Sequence, residues 1–192
     1  MSDNEQSNNA QLKAGALLVA KPGPYMNADP TFSEAVILLL DHSETGSIGV
    51  IINKPYVDIP YEVVVQSIGM DVLKNSPEKM MFSGGPMQEG MYPLSVHNDD
   101  SKQIGDSDIG LVSKHPEELD ELPSKLKLCM GYAGWRPGAI EDEMAMMDSW
   151  AVIDSDADIV FAPFEEIYQI AAQKACITAA ENKPKPDAPS PM

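Results

Sequence analysis

Cys129-Met-Gly-Tyr-Ala-Gly-Trp-Arg-Pro-Gly-Ala-Ile-Glu-Asp-Glu143 joins an apolar run to a helix-like run. It contains three glycines, one tryptophan, one proline and three carboxylates, a density that demands a structural reason. Gly131 and Gly134 permit close backbone approach or positive φ around Tyr132, and Trp135 supplies a large apolar anchor. Arg136-Pro137 or Gly138 can start a helix, which places Glu141, Asp142 and Glu143 near its positive end. With Gly138 as the cap, Glu141 is the third helical residue and can reach back to the cap amide. The stretch reads as a strand-to-helix corner. The competing reading is that its free amides and Trp135 line a ligand cleft.

Working outward, Lys125 to Met130 is an apolar-leaning strand that delivers the chain to the corner. Beyond it, Ile140, Met144, Met147 and Ala151 share one helical face. Ala16 to Ala20 reads as a buried strand stopped by Lys21-Pro-Gly-Pro24. Ala35-Val-Ile-Leu-Leu-Leu40 is a continuous apolar run suited to a strand covered on both faces. The polar loop Asp41 to Ser47 and the strand Ile48 to Ile52 complete a hairpin, closed by Asn53-Lys-Pro55. Asp58-Ile-Pro60 starts a helix carrying Tyr61, Val64, Val65 and Ile68, with Gly69 as its C-terminal cap. Met80 to Phe82 and Tyr92 to His97 are further strands, the second followed by a polar loop from Asn98 to Asp108.

Ser113 to Leu122 has the cap, proline and acidic start of a short helix. Trp150 to Ile153 and Ile159 to Phe161 are expected strands around Asp154-Ser-Asp-Ala-Asp158. A last helix starts at Ala162-Pro163 and carries Phe164, Ile167, Tyr168, Ala171 and Ala175 on one face. Residues 1–11 and the proline-rich residues 182–192 are expected to be disordered tails, leaving one domain over 12–181.

The 192 residues carry a formal net charge of −17 with ordinary hydrophobic content, 43%. Such a field repels phosphate backbones and anionic membrane surfaces, so neither direct nucleic-acid binding nor membrane association is expected. Cys129 and Cys176 have no paired spacing, and the N-terminus lacks signal-peptide features. Both observations point to the cytoplasm.

No Gly-Lys-Ser/Thr loop, G-x-G-x-x-G, H-E-x-x-H, C-x-x-C or G-x-S-x-G string is present. Asp154, Asp156, Asp158 and Glu165 match calcium-loop positions one, three, five and twelve. Ile159 replaces the glycine needed at the sixth, so a solvated loop is expected and no metal or cofactor. His42, His97 and His115 each stand beside a strand end or turn. If His42 and His97 converged, Ser83 could act as a nucleophile with the Gly84 and Gly85 amides as an oxyanion cradle. Glycines serving a tight strand exit are the plainer reading.

Several of these pieces together resemble the AlgH/YqgE family of bacterial proteins. They are Gly15 to Ala20, the Val36 to Asn53 hairpin with His42, Asn53-Lys-Pro55, Phe82-Ser-Gly-Gly-Pro86 and Val96-His97. Gly131-Tyr-Ala-Gly-Trp135 with Pro137, Gly138 and Glu141 completes the set, and the likeness spans roughly residues 12–175. This chain has Gly138-Ala-Ile-Glu141 where the family has glycine-glutamine-leucine-glutamate, and Val96 where the family has leucine. The resemblance implies an α+β domain with a β-barrel-like mixed sheet surrounded by helices. It also implies an indirect link to transcriptional regulation, through a protein or small-molecule partner.

The functional expectation is a non-enzymatic binding or regulatory protein. The alternative is a small-molecule hydrolase using His42 or His97 near Ser83-Gly84-Gly85-Pro86. Candidate ligand-binding residues are His42, Asn53, Ser83, Gly84, Gly85, His97, Trp135 and Glu141.

Overall fold

The computed structural model describes residues 10–76, 78–114, 118–119 and 121–177, apart from the Tyr25 side chain. Residues 1–9 of the tail expected over 1–11, the tail expected over 182–192, His115 and much of the helix expected over 113–122 lie outside the described residues. Among the described residues the strands are β1 (Ala16–Ala20), β2 (Val36–Ser43), β3 (Gly46–Ile51), β4 (Met81–Ser83), β5 (Met87–Val96), β6 (Ser101–Gln103), β7 (Ile109–Val112), β8 (Leu126–Trp135) and β9 (Trp150–Asp154). The helices are α1 (Pro24–Ala28), α2 (Tyr61–Ser67), α3 (Ala139–Met147), α4 (Ala157–Val160) and α5 (Phe164–Lys174).

One mixed sheet runs in the order β6-β7-β5-β8-β3-β2-β1-β9. The apolar run before the corner is its hub: β8 pairs antiparallel with β3 and β5, and parallel with β4. All five residues of β1 are buried, because both faces of the sheet are covered there. Strand alternation splits its side chains between two layers. Leu17 and Val19 join Phe82 and Ile167 of α5 on one face. Leu18 and Ala20 join Ile140 of α3, Trp150 and Met26 of α1 on the other. A third cluster packs Tyr61 and Val65 of α2 against Met81 and Leu128.

The expected barrel does not close. The sheet ends at β6 on one side and β9 on the other, and these two strands share no ladder. Loop contacts stand between them instead: Ala157 N–H donates to Asp108 Oδ2 at 3.1 Å. A Cβ on Gly105, at φ +57°, would lie 2.1 Å from the Ala14 carbonyl. The strand expected at Ile159 to Phe161 is α4 and a turn, because the Asp156 side chain accepts from Ile159 N–H at 2.9 Å and caps a helix.

Other boundaries also moved. The loop expected over Asp41 to Ser47 is largely strand, with a bulge between Leu39 and Asp41. The stretch expected as a loop over Asn98 to Asp108 contains β6, and α1 follows directly on Gly23. α3 stops at Met147, where Asp148 turns left-handed at φ 49°, so Ala151 lies in β9 and not on the helical face. Among the described residues no helix is long and apolar enough to cross a membrane.

Candidate functional site

His42 stands opposite Ser47 across the β2–β3 hairpin, and Ser47 in turn stands opposite Trp135 of β8. That register carries His42 to the corner. Its Nδ1 is 2.8 Å from Ser47 Oγ, and its Nε2 is 3.5 Å from Glu141 Oε1. The Glu141 carboxylate thus faces His42, where a bond back to the Gly138 amide was expected. A neutral His42 with Nε2–H toward Glu141 leaves Nδ1 to accept the Ser47 hydroxyl proton. Next to this group, Glu143 Oε2 accepts from Trp150 Nε1 at 2.7 Å and from Trp135 Nε1 at 3.4 Å. The two indoles meet edge to face, with ring centroids 6.4 Å apart.

The remaining sequence candidates do not gather there. His97 follows the end of β5 whose Ser95 faces Leu126, whereas His42 lies at the Trp135 end of β8. Ten residues of β8 at about 3.3 Å each put those ends roughly 30 Å apart. His97 Nδ1 instead lies 3.3 Å from Ser101 Oγ. Ser83 sits mid-sheet opposite Met130.

The oxyanion cradle is also corrected. Gly84 N–H donates to the Met130 carbonyl at 2.7 Å, and its own carbonyl accepts from Ile51 N–H at 2.8 Å. A Cβ on Gly84 would lie 2.2 Å from the Gly131 carbonyl oxygen, and one on Gly85 2.2 Å from the Tyr132 carbonyl carbon. These glycines let backbones pass close together, and Gly84 has no free amide to offer.

Asn53 belongs to a different place. It is buried at the open end of the hairpin, where its Nδ2 donates to the Glu34 carbonyl at 2.8 Å. Its Oδ1 accepts from Val36 N–H at 2.9 Å. Lys54 Nζ adds a bond to the Ser33 carbonyl at 2.5 Å. Together they hold Glu34 at φ 54°, a left-handed conformation uncommon for a residue with a long side chain. Glu34 forms one wall of a cavity of about 870 Å³, whose other walls are Lys21–Pro24 and the α5 residues Tyr168 and Gln173.

The AlgH-like family profile matches residues 17–180. The chain belongs to the AlgH-like family. It is 37% identical over 163 residues to a UPF0301 protein of Streptomyces avermitilis, covering 79% of this chain and 80% of the relative. A UPF0301 protein of Vibrio atlanticus is 30% identical over 181 residues, covering 85% and 92%. The solution structure of the AlgH protein from Pseudomonas aeruginosa superposes with a TM-score of 0.64 at 25% identity, covering 93% and 94%. The crystal structure of protein DIP2367 from Corynebacterium diphtheriae gives 0.70 at 24% identity, covering 86% and 88%, and shares the fold. The names of these proteins carry no activity, substrate or partner.

Some residues of this AlgH-like chain escaped the sequence reading. Lys127 of β8 is only 1% exposed; its Nζ donates to the Ile52 carbonyl at 3.1 Å and lies 3.8 Å from the Phe82 ring centroid. Burial lowers its pKa, partly opposed by Glu78. Burial likewise pushes the Cys129 thiol up to about 12. Glu34 carried no signal, since glycine or asparagine is the usual mark of positive φ. Tyr168 was legible as a helix-face residue, but spacing cannot reveal that it faces Lys21–Pro24.

Proposed function

We propose that this AlgH-like protein is a binding protein without a reaction of its own, and that its ligand occupies the cavity between Lys21–Pro24, Glu34 and α5. The observation that carries this reading is the cavity itself, about 870 Å³, walled by a backbone that Asn53 and Lys54 hold out of its preferred conformation. The volume falls within the usual range for small-molecule sites, about 300–1,000 Å³. Strained backbone persists where the surroundings over-determine it, and ligand sites are a common reason. A regulatory role follows if ligand binding changes which protein partner the chain meets.

A hydrolytic reading is second, and rests on His42 lying between Ser47 and Glu141. Ser47 is 6% exposed and paired on both sides within the sheet, which leaves an acyl group little access.

Amide chemical-shift mapping against a library of small metabolites separates the two. The expected result is saturable perturbation of Lys21, Gly23 and residues 33–34 and 168–177, weakened in Asn53→Ala. Perturbations confined to the His42–Glu141 corner, with ester turnover lost in His42→Ala, would overturn the cavity reading in favour of the second.

A further inference from the structure

Resting on the cavity reading above, we propose that the ligand is a small organic cation, an amine or quaternary ammonium with an apolar body, held by the Glu34 carboxylate and the Tyr168 side chain. The charges lining the cavity are unequal in what they have left to offer. Lys21 Nζ already bonds Asp148 Oδ1, so its charge is met within the protein. The Glu34 carboxylate has no hydrogen-bond or ion-pair partner among the described residues, and it lines the same space. An anionic ligand would meet that carboxylate with Lys21 already engaged.

The backbone that carries the carboxylate is also set in advance. Asn53 and Lys54 fix the backbone on both sides of it, so a ligand would not have to order the loop itself. Tyr168 is held by donating its hydroxyl proton to the Ala20 carbonyl at 2.9 Å. Burial, and after it the Glu34 charge, raises the pKa of that hydroxyl, so the two groups share one electrostatic neighbourhood. A carboxylate beside an aromatic side chain suits an ammonium group, by counter-charge and by attraction to the ring.

The rest of the lining fits the rest of such a molecule. Pro22, Pro24, Ala172 and Ile177 offer apolar surface. The side-chain amides of Asn27, Gln169 and Gln173 make no hydrogen bonds among the described residues and can receive polar substituents. The net charge of −17 concentrates cations around the whole molecule, which favours encounter.

The test uses the full chain with spermidine, choline and butylamine as probes, and butanol and butyrate as neutral and anionic comparisons. Titrations followed by calorimetry and amide shifts run at about 0.15 M salt, where non-specific surface attraction is screened. The expected result is saturable binding of at least one cation that perturbs residues 33–34 and 168–173. Glu34→Gln should weaken it about tenfold or more. Glu34→Gly should do the same while removing the backbone strain, which guards against a folding artefact.

Cation binding indifferent to both substitutions would overturn the proposal as surface attraction. Equal occupation of the cavity by butanol or butyrate would overturn the ligand class and leave the cavity reading standing. If no probe and no library compound of any charge perturbs the cavity, both readings fall.

Discussion

Trp150 Nε1 donates to Glu143 Oε2 at 2.7 Å, tying the middle of α3 to the edge strand β9. Trp150 is buried, so its indole N–H needs that acceptor. Glu143→Ala is expected to destabilise the protein by about 1–3 kcal/mol, whereas Glu143→Gln retains an acceptor and loses less. Denaturant unfolding followed by tryptophan fluorescence measures both, and equal stability of all three proteins would refute the role.

Asn53 and Glu34 form the second coupled pair. Asn53→Ala removes two bonds that hold the 34–36 backbone and should cost about 1–3 kcal/mol. Glu34→Gly relieves the left-handed conformation and should be neutral or stabilising by about 1 kcal/mol. A double-mutant cycle by thermal denaturation should show that Asn53→Ala costs less in the Glu34→Gly background; strict additivity contradicts the idea.

Asp156 sets an acid dependence. Burial raises its pKa, but Lys174 and the Ile159 amide outweigh burial and leave it below its ordinary value of 3.8. A lowered folded pKa means that the unfolded chain takes up the proton first. The contribution is therefore present above pH 3.8 and is lost as pH falls through the depressed folded value. Asp156→Asn preserves the cap of α4 but removes the negative charge that pairs with Lys174. Its stability deficit at neutral pH should shrink as pH falls below 3.8, and a pH-independent deficit would count against this account.

Cys129 and Lys127 act in opposite directions at alkaline pH. The thiol is raised from 9.0 to about 12, so its stabilisation is complete below 9.0 and is lost as pH climbs toward 12. Lys127 is lowered from 10.5, so stability rises with pH from its depressed value up to 10.5. Lys127→Met keeps the apolar stem and should stabilise by roughly 1 kcal/mol near neutrality, because it removes a buried amine with a single carbonyl acceptor. It should also steepen the alkaline loss measured by urea unfolding. With a thiol reagent, the exposed Cys176 should react in the native protein and the buried Cys129 only after denaturation.

The elements legible in the sequence were those whose reason is local. The all-apolar β1, the apolar first half of β2, the hairpin near His42, the proline at the start of α2 and the face of α5 all follow from pattern or turn chemistry. β6 and α4 were missed. β6 is a three-residue polar strand with no apolar alternation to announce it. α4 depends on the Asp156 cap, which Lys174 of α5 supports from 18 residues away. The same holds at the site: His42 and Glu141 were both candidates but were expected to meet other groups, and Ser47 entered only through the β2–β3 register.

By itself the sequence determined the family and the strand-to-helix corner, since glycine, proline and carboxylate placements act over a few residues. Tertiary structure alone decided that the sheet stays open, that Lys127 is buried, and that Glu34 and Tyr168 face one cavity. Those outcomes depend on which distant surfaces meet. A residue's own chemistry limits its partners without choosing among them.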